Sequence, residues 1–378
     1  MSAGVPEPES IPLVDLTWQH RQVGAAVENG WREVLASTAF ILGPATRSFE
    51  EHFARFCGVE HCVGVANGTD AIELALRAVG VSTGDRIVVP ANTFVATVEA
   101  VIRAGARPVF VDCDPGTYLI DVHQATEAMG TARAIVPVHL YGQLAPMREI
   151  AEAAARSGCV VVEDAAQAQG ATGQGGGVGG WSAAVATSFY PGKNLGAYGD
   201  AGAVLTNDSE VAAKVRRLVN HGTTVKHGPR DFGFNSRLDE MQAVVLRAKL
   251  PELARWNALR RDAAARYQVL LSGDDRVRLP VELPGNAHVW HLYVVEIPHR
   301  DEVLKRLQAG GIQAGIHYPV PVHLEGPYRE FGDGPGSMPV TEALAARILS
   351  LPIYPGITAD QQERVVSELL GSLDAVGP

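Results

Sequence analysis

Lys193 stands in Ser188-Phe189-Tyr190-Pro191-Gly192-Lys193-Asn194-Leu195-Gly196, a turn marked by proline and glycine that directly follows the strand-like run 183–187. A lysine fixed in so tight a turn points to a chemical task for its amine. A free lysine has a pKa near ~10.4, so presenting the neutral amine at pH 7 costs roughly 4 to 5 kcal/mol. Condensing the amine with an aldehyde to an imine removes that cost. Pyridoxal phosphate is such an aldehyde, and it makes two further demands: an acid beside its ring nitrogen and a nest of donors around its phosphate.

The chain offers both. Val160-Val161-Val162-Glu163-Asp164-Ala165-Ala166-Gln167 places Asp164 where an apolar run ends, and ligands of parallel sheets bind beyond the carboxyl ends of the strands. A carboxylate there can pair with a pyridinium N–H and keep the proton on it. Gln167, three residues on, is within reach of a ring hydroxyl. Taken alone, an aspartate at a strand end is more often a helix cap or turn former; joined to a lysine in a later strand loop, it reads as the ring acid. For the phosphate, the apolar run from Cys62 leads into Asn67-Gly68-Thr69-Asp70 and then the helix-like Ala71-Ile72-Glu73-Leu74-Ala75-Leu76-Arg77. Glycine lets the backbone approach a ligand, and the first helical turn offers unpaired N–H groups to an anion.

Short apolar runs rich in β-branched residues alternate with helical patterns through the first part of the chain. The runs at 62–66, 86–89, 108–111, 134–138, 160–163, 183–189 and 203–206 read as strands buried on both faces, hence a mainly parallel α/β sheet. From Glu240 to Leu270 one long helical pattern reads as a connecting helix. The runs 289–297 and 300–309 suggest strands and helices of a smaller C-terminal domain, and 326–339 a loop excursion.

The 378 residues, 46 % of them hydrophobic, suffice for a large core and two domains. A net charge of −10, with no basic run, argues against nucleic acid and anionic membranes as partners. Cys57, Cys62, Cys113 and Cys159 form no C-x-x-C pair and read as reduced, buried thiols. No signal pattern opens the chain and no long apolar run crosses a bilayer, so a cytoplasmic location is expected. Gly175-Gly176-Gly177-Val178-Gly179-Gly180 matches G-x-G-x-x-G, but Trp181 and a strand-like run follow where a dinucleotide site needs a helix. Gly192-Lys193 lacks the upstream glycine and following Ser or Thr of a P-loop.

The segments NGTDA, ANTFVATVEAV, VPVHLYGQ, EDAAQAQGA, SFYPGKNLGAYGDAGAV, FNSRLDEMQA and HYPVPVHL, in this order, resemble the pyridoxal-phosphate sugar aminotransferases of the DegT/DnrJ/EryC1/StrS family. The resemblance runs from about Ile11 to the end of the chain. It implies the aspartate-aminotransferase fold (fold type I), with a large cofactor-binding domain at 1–250 and a small α+β domain at 251–378. It also implies a homodimer with active sites shared across the interface.

By the same resemblance Lys193 forms the imine, Asp164 holds the pyridinium nitrogen and Gln167 contacts the ring hydroxyl. Gly68, Thr69 and Ser188 hold the phosphate, Asn235 reaches it from the other subunit, and Phe94 stacks on the ring. Tyr190, Lys226, His317, Tyr318 and His323 fall on the substrate side. Each of these has an ordinary alternative: Phe94 as core packing, Ser188 as a turn hydroxyl, Asn235 as a loop former, Lys226 as a solvated charge. His317 and His323, separated by two prolines, have neither helical nor strand spacing for a metal, and none is expected.

The resemblance implies transamination from L-glutamate to a nucleotide-linked keto-sugar, with pyridoxamine phosphate carrying the nitrogen between the two. The loop YPGKNLGAYGDAG resembles enzymes acting at C3 of dTDP-3-keto-6-deoxyhexoses in deoxyamino-sugar biosynthesis, whereas C4-acting relatives carry HP.K followed by TTGEGG. His221 and Thr223 depart from the tyrosine and serine of the C3 enzymes' NYGS segment. The other readings are a C4 keto-sugar or cyclitol (inosose) aminotransferase and, from another class, a cofactor-binding regulatory protein.

Overall fold

The computed structural model describes residues 10–224, 228 and 231–377. Helices α1 (Leu16–Ser37) and α2 (Pro44–Cys57) precede β1 (His61–Val65), α3 (Gly68–Ala78), β2 (Arg86–Pro90), α4 (Val95–Arg103), β3 (Arg107–Val111) and α5 (Val122–Met129). Next come β4 (Ala134–Ile135), α6 (Met147–Ser157), β5 (Val160–Asp164), the hairpin strands β6 (Thr172–Gly173) and β7 (Gly176–Gly177), β8 (Ala184–Ser188), β9 (Gly202–Thr206) and α7 (Ser209–Leu218). Helices α8 (Glu240–Lys249) and α9 (Leu253–Leu271) lead to β10 (Tyr293–Glu296), α10 (Arg300–Ala309), α11 (Pro339–Ala345), β11 (Ile348–Leu351) and α12 (Ala359–Val376).

All seven apolar runs are strands of one sheet, in the order β1-β9-β8-β5-β4-β2-β3. Pairs β2–β3, β2–β4, β4–β5 and β5–β8 are parallel; β9 runs antiparallel to both neighbours. The pleat sends alternate side chains to opposite faces. Ile87 and Val89 of β2 therefore join α3, α4 and α7 in one core, while Val88 joins α5 and α6 in another. Likewise Ala184, Ala186 and Val204 face α3 and α7, and Val185, Ala203 and Leu205 face α2 and α8. Both faces are covered, which is why these strands are apolar without alternation.

Two elements differ from the sequence expectation. The helical pattern 240–270 is broken by a 3₁₀ turn, Leu250–Glu252, between α8 and α9. Pro251 has no N–H for the helical ladder, and its ring crowds the preceding turn. Strand β4 stops at Ile135 rather than 138, because Pro137 cannot donate; its carbonyl still accepts from the Asp164 N–H at 2.9 Å. The glycine-rich decoy is the β6–β7 hairpin, where Gly175 adopts φ +103° and a Cβ would lie 2.7 Å from the Trp181 ring.

A separate core gathers α9, α10, α12 and the antiparallel pair β10–β11. Ile11 is buried in it: its N–H donates to the Gly311 carbonyl and its carbonyl accepts from the Gln313 N–H, both at 2.9 Å. Among the described residues no helix is long and apolar enough to cross a membrane, and no group of three or more His, Cys, Asp or Glu is placed to hold a metal ion. Cys62, Cys113 and Cys159 are buried, Cys57 partly so, and all four are free thiols.

Helix α2 begins after Gly43, which has no side chain with which to cap it. Glu240, buried at the start of α8, supplies the cap from afar. Its carboxylate accepts from the N–H groups of Gly43 (3.0 Å), Ala45 and Thr46 (3.1 Å) and from the Thr46 hydroxyl (2.6 Å). Hydrogen bonds to a charged group contribute about 1.5–3 kcal/mol each. Glu240→Gln, which turns one acceptor oxygen into a donor, should lower stability by about 2 kcal/mol in urea unfolding; an unchanged midpoint would show that the cap does not stabilise the fold.

Candidate active site

The site lies at the carboxyl edge of the sheet, where β1, β2, β5 and β8 end. Lys193 sits in the loop that leaves β8. Its N–H donates to the Tyr190 carbonyl at 2.8 Å, and the loop closes with the Ala197 N–H on the Phe189 carbonyl at 2.7 Å. A Cβ at Gly196 would collide with the Pro191 carbonyl, so the closure requires glycine there. Desolvation pulls the Lys193 ammonium down to about 8, and the negative charge of Asp164 opposes part of that shift. The two groups therefore interact across the adjacent ends of β5 and β8.

Asp164 ends β5 and is buried. Its Oδ1 accepts from the Ala166 N–H at 3.1 Å, and its Oδ2 from the Thr97 hydroxyl at 2.7 Å. The Thr97 proton is thereby committed, so the Thr93 hydroxyl, 2.8 Å away, donates to Thr97. This chain fixes the carboxylate from below. Gln167 is oriented by the Tyr141 N–H, which can only donate and so meets Oε1 at 2.6 Å; Nε2 then donates to the Tyr318 hydroxyl at 3.1 Å.

Tyr318 links the two halves of the site. Its ring is 5.2 Å from that of Phe94, and burial followed by the Asp164 charge raises its hydroxyl pKa. Phe94 is 47 % exposed, so it is no core residue. His317 bonds the Ser350 hydroxyl at 2.8 Å; desolvation, then the Lys193 charge, lowers it to about 4.

Asn67 caps α3, its side chain accepting from the Asp70 N–H at 2.8 Å. The N–H groups of Gly68 and Thr69 have no partner among the described residues. A Cβ at Gly68 would lie 2.6 Å from the Ser188 Cβ, so the helix start and Ser188 share one narrow cradle. Tyr190 is 60 % exposed beside that loop. Asn235 is exposed, accepts from Arg237 at 2.6 Å and lines a cleft with Asn67, Asp200 and Gln242. His323 is not brought to this cluster: it is fully buried, 3.2 Å from the Glu342 carboxylate and beside the Phe110 ring. Lys226 lies outside the described residues.

Residues 22–370 match the DegT/DnrJ/EryC1/StrS aminotransferase family. The chain belongs to that family. A Micromonospora megalomicea subsp. nigra protein named dTDP-3-amino-3,4,6-trideoxy-alpha-D-glucose transaminase is 47 % identical over 355 residues, 92 % of this chain and 95 % of the relative. A Geobacillus stearothermophilus protein named pleiotropic regulatory protein is 44 % identical over 363 residues, 95 % and 98 % of the two chains. The solved structure of S. venezuelae DesV in complex with a ketimine intermediate superposes with a TM-score of 0.93 at 42 % identity, covering 96 % and 98 %. The fold is accordingly that of the fold-type-I aminotransferases.

DegT/DnrJ/EryC1/StrS aminotransferases depend on pyridoxal phosphate, and the residues here fit it. A partly desolvated amine interacts with a buried, braced carboxylate, and a glycine cradle at a helix N-terminus lies beside a serine hydroxyl. The second N–H of the Gln167 amide is not committed to Tyr318.

Thr93, Thr97, Tyr141, Asn194 and His291, to which no spacing rule gives a role, also join the hydrogen-bond network around Asp164, Gln167 and the lysine loop. Thr93 and Thr97, four apart in ANTFVATVEAV, Tyr141 in VPVHLYGQ and Asn194 in the lysine loop all lie within the family motifs, whereas no motif contains His291. The pH dependence of the site follows from the Lys193 environment. Reductive trapping of pyridoxal phosphate on Lys193 by borohydride, read by peptide mass spectrometry, should rise with pH through about 8 as the amine loses its proton. In Asp164→Asn the charge that favours the ammonium is gone, so this inflection should move to lower pH; an upward move would refute the coupling.

Proposed function

We propose that the chain transfers an amino group from L-glutamate to C3 of a nucleotide-linked 3-keto-6-deoxyhexose, most closely a dTDP-sugar. What carries the reading is the pairing of Lys193, whose ammonium is pulled down to about 8, with the buried Asp164 carboxylate at the adjacent ends of β5 and β8. The acceptor is supported by the name of the 47 % identical Micromonospora relative, a dTDP-3-amino-sugar transaminase.

When bound, pyridoxal phosphate supplies an electron sink that acidifies the C–H bond next to the transferred nitrogen. The protein supplies the rest. Lys193 anchors the cofactor and, once freed, carries the proton from the donor α-carbon. Asp164, held by Thr97 and the Ala166 N–H, keeps a proton on the ring nitrogen. Gln167 orients the ring through its hydroxyl, Phe94 covers its face, and Gly68, Thr69 and Ser188 take the phosphate. Asn235 reaches the phosphate of a second copy, which makes the working unit a homodimer. Tyr190, Lys226, His317 and Tyr318 line the sugar side, while buried His323 supports the segment behind them. His317, neutral above about 4, offers a hydrogen bond without a charge. Donor and acceptor use the same site in turn, so ping-pong kinetics follow. The kink at Leu250–Glu252 is the boundary between the large cofactor domain and the small one, and the enzyme works in the cytoplasm.

A cofactor-binding regulatory role is the second reading, favoured by the name of the Geobacillus relative. The visible spectrum separates the two. Glutamate should bleach the yellow of the loaded protein and a dTDP-3-keto-6-deoxyhexose should restore it. Bleaching restored only by a C4-ketone or a free inosose would replace the acceptor, and a spectrum unmoved by any donor would favour regulation. Lys193→Ala should lose the borohydride-reducible linkage and at least about 10²-fold in turnover; full turnover in that variant would remove Lys193 from the mechanism.

A further inference from the structure

Lys249, at the end of α8, is 1 % exposed. Lysines are almost never fully buried unless paired. Burial lowers this one to about 8, with no carboxylate opposing the shift among the described residues. Its Nζ donates instead to the Gly196 carbonyl at 2.7 Å, and the charge lies over the Tyr198 ring, 4.6 Å from the centroid. A donor that carries charge makes a hydrogen bond roughly twice as strong as a neutral one, and the ring face attracts a cation. The Tyr198 ring is held in turn: its hydroxyl meets His20 Nδ1 at 2.8 Å, and Trp31 packs edge-on against it.

The carbonyl that Lys249 grips belongs to the lysine loop. Gly196 lies three residues after Lys193, and its backbone is pressed onto that of Pro191, two residues before it. A shift of Gly196 is therefore a shift of the whole turn that carries the amine. Gln242 stands seven residues before Lys249, about two turns along α8. Its Oε1 accepts from the Tyr198 N–H at 2.8 Å, so one helix holds the outgoing limb of the loop at two points. That helix is a fixed support, since Glu240 caps α2 and the Met241 carbonyl accepts from the Trp31 indole N–H at 2.9 Å.

We propose that Lys249 is a positioning residue for Lys193: held as a cation between the Tyr198 ring and the Gly196 carbonyl, it fixes, together with Gln242, the limb of the loop from which the Lys193 amine acts. Lys249 works through the backbone of the turn and touches neither cofactor nor substrate. The inference rests on the reading of Lys193 as the reacting amine.

Two readouts on the cofactor-loaded protein test it. Lys249→Met keeps an unbranched side chain but removes the charge and the donor. Amide hydrogen exchange in peptides spanning 189–199 should then be about tenfold faster, the worth of one hydrogen bond. Single-turnover bleaching by glutamate should slow by about the same factor, with the half-saturating glutamate concentration unchanged. Lys249→Arg, which restores charge and donor, should recover part of both losses; a loss that arginine leaves untouched assigns the effect to packing and overturns the proposal. Gln242→Met releases the same limb, so it should loosen the same peptides and slow the same step, and it carries the test should Lys249→Met fail to fold. Exchange or bleaching at the wild-type rate in these methionine variants overturns the proposal while leaving transamination standing. Wild-type protein that glutamate does not bleach overturns the reading of Lys193 as well.

Discussion

An amine becomes a nucleophile near neutral pH only where its charge is disfavoured, and this protein achieves that by taking Lys193 out of water at the edge of its sheet. Complete burial without a counter-charge would be too severe; a tight ion pair would restore the ammonium. Asp164 resolves the conflict, because its charge opposes the shift while its oxygens are committed to Thr97 and the Ala166 N–H. The parallel sheet makes that arrangement possible by ending β5 and β8 side by side, with Asp164 paired to Ala186 two residues before Ser188.

Close backbone approach holds the cradle in place. Gly202 opens β9 opposite Ser188, and a side chain there would strike the Asn67 carbonyl. Gly68 brings the start of α3 against Ser188 in the same way. Strand β9 runs antiparallel, so its beginning and the ends of β1 and β8 meet at one edge. The N–H groups of the first turn of α3 are thus presented at the same edge of the sheet as the lysine loop.

Much of this was legible in the sequence because it rests on local pattern. The apolar runs became seven strands, and Lys193, Asp164, Gln167 and Tyr318 fell into one cluster because each occupies a strand end or a turn with a marked composition. The break at Pro251 was equally local and is a reminder that periodicity alone does not outweigh a missing N–H. What stayed hidden depends on distant partners. His323 matched a motif yet turns toward Glu342 and Phe110, since only packing decides which way a side chain faces. Asn194, Asn257 and His291 lie far apart in sequence, and no spacing rule joins an amide of the lysine loop to an imidazole before β10.

The placement of Ile11 has a consequence for synthesis. Ser10 and Gly311 are hydrogen-bonded across 301 residues, and Ile11 fills the core of α10 and α12. At roughly 5 to 20 residues per second, the segment waits about 15 to 60 s on the ribosome for its partner to emerge. The sheet of the large unit can form in that interval, from elements already made, while Ile11 remains without its pocket. The pocket of Ile11 is therefore completed only after Gly311 and α12 have been made, and the nascent chain carries an exposed isoleucine until then.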